Sequence, residues 1–380
     1  MDADCDPTGP GDPARLVEGY RPGDFLLAGP EHTVLASGAQ AVVAETDPDE
    51  LAAQVTKQLV DTRAPLAVGA LPFAGQAHVV IPTAARRAGT VHPYRTTTPT
   101  WGSTASSWVE EPPADGYARA VAAAVSALRA DDGLRKVVLA RTLRLGFDEP
   151  VDVARLLPGL AAANPLGYTF ATPLPDGGTL VGATPELLLS RSGTQVVSNP
   201  LAGSLPRGGD PAADRAAAAA LLASAKDQAE HRLVVEAVVE ALRPFCRSLY
   251  VPAGPSLVST PTIWHLSTRV VGELADPDVS SLRLAAALHP TPAVCGTPPA
   301  AARAAIAELE PFDRGFYSGV VGWCTPSGDG EWVVALRCAE VSGNAMRLFA
   351  GAGIMPASRP EAELAETSAK FRTLLQALGL

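Results

Sequence analysis

The chain has 380 residues, 47% of them hydrophobic and 18% charged, enough apolar material for a large core and too much for wholesale disorder. Its formal net charge of −10, with no Lys/Arg-rich block, argues against a nucleic-acid binder, because nothing offsets phosphate repulsion. No run approaches the ~20 apolar residues that span a bilayer, the start MDADCDPTGPGDPARL lacks the pattern of a signal peptide, and five cysteines without a CxxC pair suit a reduced, cytoplasmic setting.

Residues 1–20 are acidic and rich in Pro and Gly, and read as a poorly ordered N-terminus. Residues 23–45 alternate apolar and polar between Gly breaks, which predicts paired strands. DPDELAAQVTKQLV follows, an Asp-capped amphipathic helix, and PLAVGALPF and AHVVIP read as buried strands. From Arg86 to Pro113 the Thr, Ser and Pro content predicts a long surface loop. Tyr117, Val121, Val125 and Leu128 recur at helical spacing, so a helix is expected there. LRKVVLARTLRL is a strand opened by Lys136, DVARLLPGLAAANP a short helix, and YTFATPL and TLVGATPELLLSR neighbouring strands.

SNPLAGSLPRGGD reads as a turn-rich loop, and one long helix is expected from about Asp214 to Phe245. Strands return in LVSTPTIWHLSTRVVGEL. Helices follow in SLRLAAAL and PAAARAAIAEL, and further strands lead to a final helix carrying Glu363, Glu366 and Lys370. No period of 20–50 residues indicates a solenoid. Strands outnumber those of a βαβ repeat, which predicts an α+β fold with two packed, mainly antiparallel sheets and helices outside. No linker composition divides the chain, so residues 21–380 are expected to form one domain.

Several residues carry possible chemistry. Glu363, Glu366 and Lys370 are spaced i, i+3 and i+7 and share a helical face. Two carboxylates there suit a hard divalent cation, and the lysine suits an organic anion. Glu230 is either a solvated helix residue or, with Glu363 and Glu366, part of a carboxylate cage, whose oxygen donors favour Mg²⁺ over zinc. Lys136 is either a snorkelling strand-end lysine or a desolvated base. Glu186, flanked by Pro and leucines, is either a strand-end carboxylate in water or a carboxyl kept protonated as a general acid. His265, between Trp264 and Leu266, has the context of a hydrogen-bonded core histidine. Gly351 and Gly353 lack the rest of a dinucleotide fingerprint and suit close backbone approach to a ligand carboxylate, with Arg337 ahead of them.

KVVLAR, GATPELLL, NPLAGS, KDQAEHRLVVEAV, IWHLST, HPTPAVCGTP, AELEPFDRGFYSGVVGW, RCAE, LFAGAGI and PEAELAETSAK occur in the order found in the chorismate-utilising enzymes. The chain resembles that superfamily densely over residues 115–380 and loosely before, and most of all its isochorismate synthases of catecholate-siderophore pathways. The resemblance implies an Mg²⁺-dependent isomerase acting on chorismate, with relatives commonly monomeric. It implies Lys136 as the base that activates water for attack at C2 and Glu186 as the acid that protonates the departing C4 hydroxyl. Glu230 and Glu366 would be Mg²⁺ ligands, with Glu363 reaching the ion through water. Arg337, Lys370 and backbone groups around Gly203, Ser204, Gly351 and Gly353 would bind the anion, and His265 would line the pocket near the reacting carbons. Ala293 stands where pyruvate-releasing relatives typically carry threonine, and Lys136 favours water over ammonia. The resemblance thus favours an isochorismate synthase, with a salicylate synthase or an amine-transferring relative of the anthranilate or aminodeoxyisochorismate type as the alternatives. It leaves open a menaquinone rather than a siderophore pathway.

Overall fold

A computed structural model describes residues 12–89, 104–130 and 133–380. Its strands form a 10-stranded, a 9-stranded and a 3-stranded sheet, and their pairings are antiparallel. The predicted α+β architecture is therefore the observed one. The two large sheets face each other across a core that includes Phe25, Leu27, Phe170 and Leu180 from one and Val68, Val321, Trp323 and Val333 from the other. Helices Pro13–Glu18, Val153–Ala163 and Pro360–Leu378 cover the outer face of the larger sheet. Helices Pro48–Thr62, Ala225–Leu242 and Ser281–Leu288 cover that of the other. Each fully buried Leu, Val or Phe in these layers contributes about 1.5–3 kcal/mol relative to exposure. Among the described residues no helix is long and apolar enough to cross a membrane.

One strand pair in the larger sheet separates helix packing from an internal cavity. Lys136–Gly146 runs against Ala345–Ile354 in unbroken register, from Gly146 opposite Ala345 to Val137 opposite Ile354. Side chains alternate faces along a strand. Val137 and Leu139, with Ala352 and Ile354, pack on helices Ala114–Arg129 and Pro299–Leu309. Val138, Gly351 and Gly353 therefore fall on the opposite face, which is the wall of the cavity.

Four sequence expectations change. Residues 1–11 lie outside the described residues, but Pro13–Glu18 is a helix capped by Asp12, with Leu16 and Val17 buried, so order begins before residue 20. In the expected loop from Arg86 to Pro113, strands Ala84–Ala88 and Ser107–Glu111 pair at sheet edges, and residues 90–103 lie outside the described residues. SNPLAGSLPRGGD is mostly strand: it ends Gln195–Asn199 and contains Leu201–Pro206. Its Gly and Pro serve an irregular pairing, with a register shift between Leu201 and Ser204 that places Gly203 at φ +77°.

The single helix expected from Asp214 to Phe245 is two helices, Pro211–Ala223 and Ala225–Leu242. Ser224 breaks it by adopting an extended conformation, from which its side chain caps the Asp227 N–H.

Candidate active site

A cavity of about 550 Å³ opens where the long strand pair, the three-stranded sheet, helix Ala225–Leu242 and helix Pro360–Leu378 meet. Its wall includes Glu186, Gly203, Ser204, Glu230, His265, Ala293, Arg337, Gly351, Gly353, Glu363, Glu366 and Lys370. Residues separated by more than 180 positions in the chain thus converge on one space.

Lys136 shares the strand face of Val138 and meets the cavity through Glu230, which lines it. Its side chain is 1% exposed and its Nζ lies 2.9 Å from Glu230 Oε1. It does not snorkel to solvent. Gly353 makes the arrangement possible, because a Cβ there would meet Glu230 Oε1 at 2.3 Å and Lys136 Cε at 3.1 Å. The glycine thus makes room for this pair.

Glu186 is 2% exposed and sits between strands Thr179–Thr184 and Leu187–Ser192. Burial pushes its carboxyl up to about 7, against the opposing pull of the Leu201 N–H and of Lys136, Arg337 and Lys370. A carboxyl with that proton affinity is suited to act as a general acid near neutral pH.

Opposite it, Arg337 adopts the left-handed region at φ +46°, a conformation that costs a non-glycine residue and recurs at functional sites. Burial lowers its guanidinium to about 10, with Glu186 opposing. Arg337 Nη2 lies 2.7 Å from His265 Nε2, and His265 Nδ1 lies 2.7 Å from Ser204 Oγ. Burial first, then Arg337 and Lys370, hold His265 well below the usual imidazole range, so it is neutral. A guanidinium only donates, hence Nε2 accepts and the ring proton is on Nδ1. Ser204 Oγ then accepts that proton, and its own hydroxyl is left to donate elsewhere. His265 is thus both a hydrogen-bonded buried histidine and part of the cavity wall.

The carboxylates expected to hold a metal come from two facing helices. Glu363 Oε1 is 3.1 Å from Lys226 Nζ, and Glu366 Oε1 is 2.8 Å from Lys370 Nζ, which also donates to the Gly351 carbonyl at 2.7 Å. Each of the three glutamates is thus matched to one lysine. Among the described residues no three His, Cys, Asp or Glu side chains form a ready metal-holding group, so the expected cage is not assembled in this arrangement. The donor chemistry nonetheless fits a hard divalent ion. Burial, then repulsion from Glu366, raises Glu363, while burial is the leading cause of the raised carboxyl at Asp227 beside them. Bound positive charge would relieve that crowding.

Residues 79–379 match the model of the family described as Chorismate binding enzyme. The chain belongs to that family. Among its members, isochorismate synthase DhbC of Bacillus subtilis (strain 168) is 47% identical, covering 96% of this chain and 96% of the relative. Isochorismate synthase EntC of Escherichia coli (strain K12) is 50% identical over 68% of this chain and 66% of its own. The crystal structure of DhbC from Bacillus anthracis superposes with a TM-score of 0.91 at 45% identity, covering 97% of this chain and 100% of that one.

Sequence reasoning missed three charged members of this cavity. Lys226, Asp227 and Arg372 all line it. Lys226 lies four residues before Glu230 on one helix, and that spacing was the available signal. Asp227 lies with Glu230 and His231 at i, i+3 and i+4 on that helix. Of these, His231 turns away from the cavity and bonds Thr268 Oγ1 through Nε2 at 2.7 Å.

Proposed function

We propose that this protein is an isochorismate synthase, which isomerises chorismate to isochorismate for a siderophore pathway of the 2,3-dihydroxybenzoate type. The near full-length likeness to DhbC of Bacillus subtilis supports the activity. The observation that carries the mechanism is one cavity lined by Glu186, whose carboxyl burial raises to about 7, and by Glu230, which pairs with the buried Lys136.

In this reading Lys136 takes a proton from water as its oxygen bonds to C2 of the ring. Glu186 gives its proton to the C4 hydroxyl, which leaves as water. One C–O bond forms and one breaks, so the overall change is an isomerisation, and the proton passes back to Glu186 through solvent. Positioned acid and base groups of this kind typically contribute 10²–10⁴-fold each. Arg337 and Lys370 offset the two carboxylates of the substrate, and Ser204, with its hydroxyl proton free, donates to the bound anion. Gly203, Gly351 and Gly353 let backbone groups approach it. Mg²⁺ held by Glu230 and Glu366, with Glu363 close by, would supply positive charge against the ring carboxylate. Ala293 leaves the wall without a hydroxyl beside the reacting ring.

The test is incubation of the protein with chorismate and Mg²⁺, followed by chromatography. Isochorismate without pyruvate is the expected result, and chelation of the metal is expected to stop turnover. Pyruvate as a main product would assign a lyase, and unchanged turnover after thorough chelation would remove the metal from the mechanism.

A further inference from the structure

We propose that Lys226 is an internal counter-ion that neutralises Glu363 until a divalent cation displaces it, and so sets the ion affinity of the cavity; this rests on reading Glu230, Glu363 and Glu366 as ion ligands. The three lysine–glutamate pairs of the site are not equivalent. Lys136 is 1% exposed and packs beside Gly353, paired with Glu230. Lys370 has a second acceptor, the Gly351 carbonyl at 2.7 Å, which keeps its ammonium in place whatever Glu366 does. Lys226 is different: its side chain is 36% exposed while that of its partner Glu363 is 3% exposed. The lysine thus reaches from the cavity rim to a buried carboxylate that Ser358 also contacts, and of the three it can turn outward and regain water at the least cost.

Competition arises from the charges. An ammonium 3.1 Å from Glu363 Oε1 and a divalent ion, or a water that it holds, cannot use the same lone pair, and the doubly charged partner wins. Lys226 and Glu230 are i and i+4 on helix Ala225–Leu242, so the competing ammonium sits on the same helix face as the proposed ligand. Of the three ion pairs that binding must meet, this is the one whose lysine is most exposed, at 36% against 1% for Lys136 and 20% for Lys370.

The experiment is calorimetric titration of Mg²⁺ into metal-free full-length protein, with melting temperatures measured with and without the ion. Lys226→Met is expected to bind Mg²⁺ about three- to tenfold more tightly than the wild type, because the competitor is gone. Its metal-free form is expected to melt a few degrees lower, with the deficit closing at saturating Mg²⁺. Lys226→Arg, which keeps the charge, should stay near wild-type affinity, and in a Glu363→Gln background Lys226→Met should no longer change affinity. Should Lys226→Met fail to fold, Lys226→Gln carries the same comparison. Equal or weaker Mg²⁺ binding by the folded variant overturns the proposal. Absence of Mg²⁺ binding by the wild type instead overturns the underlying assignment of the glutamates.

Discussion

Glu186 and Glu331 lie at opposite ends of one strand pairing, Leu187–Ser192 against Gly330–Val334, and both are almost fully buried. Burial raises Glu186 to about 7 and Glu331 to about 8. Their surroundings then diverge. Glu186 faces a cavity, near the Leu201 N–H and within the field of Lys136, Arg337 and Lys370. Glu331 is enclosed near Tyr168, Arg87 and Trp323, and its Oε1 has no hydrogen-bond partner among the described residues. A displaced carboxyl pKa therefore marks burial at both positions, but only access and convergent cations turn one of them into a usable acid.

The sharpest way to break that contrast is Lys136→Ala. Turnover is expected to fall by about 10³-fold or more, measured as isochorismate formation. In its resting ion pair with Glu230 the Lys136 ammonium is one of the charges holding Glu186 down, so the variant should also move the Glu186 titration upward while leaving that of Glu331 in place, as read by carboxyl NMR. Unchanged turnover would remove Lys136 from the chemistry.

Glu186→Gln comes next, with an expected loss of about 10²- to 10³-fold. The proton donor is the neutral carboxyl, present below about 7 and lost above it, so wild-type kcat should fall as pH rises through that value. A pH–rate profile of the variant should lack this limb. A profile with the same limb would assign it to another group.

Glu331→Gln should have the smallest effect, leaving turnover unchanged. The sign for stability comes from the raised pKa. The folded protein keeps the proton up to about 8, whereas the unfolded chain releases it near the ordinary 4.5, so the wild type loses stability as pH rises between these values. The variant lacks that loss. Its melting temperature should gain on the wild type by about a few degrees between pH 5 and pH 9. A difference that stays constant across the range would mean that Glu331 is already ionised in the fold.

Much of the fold was legible because period-two alternation and Asp or Ser caps are local signals. Lys136 at the head of its strand and Glu363, Glu366 and Lys370 on one helix face were read from spacing alone. Ser224 was not, since a serine in an Ala-rich run has helical neighbours on both sides, and only its extended backbone reveals the break. Leu201–Pro206 looked like a loop because its Gly and Pro content serves an irregular pairing with Ile263–Ser267, more than 50 residues away. The pairing of each glutamate with a lysine was equally hidden. It depends on which helix faces meet, and residues 226 and 363 share no local pattern.

The unbroken register between Lys136–Gly146 and Ala345–Ile354 limits how this family member can vary in length. A single inserted or deleted residue in either strand would turn every subsequent side chain to the other face of the sheet, exchanging cavity wall for helix-packing surface. Point changes can be absorbed one at a time along both strands, but length changes cannot. Engineered insertions, tags or added loops therefore belong at hairpin tips such as Gly343-Asn344, where the chain already reverses at the surface.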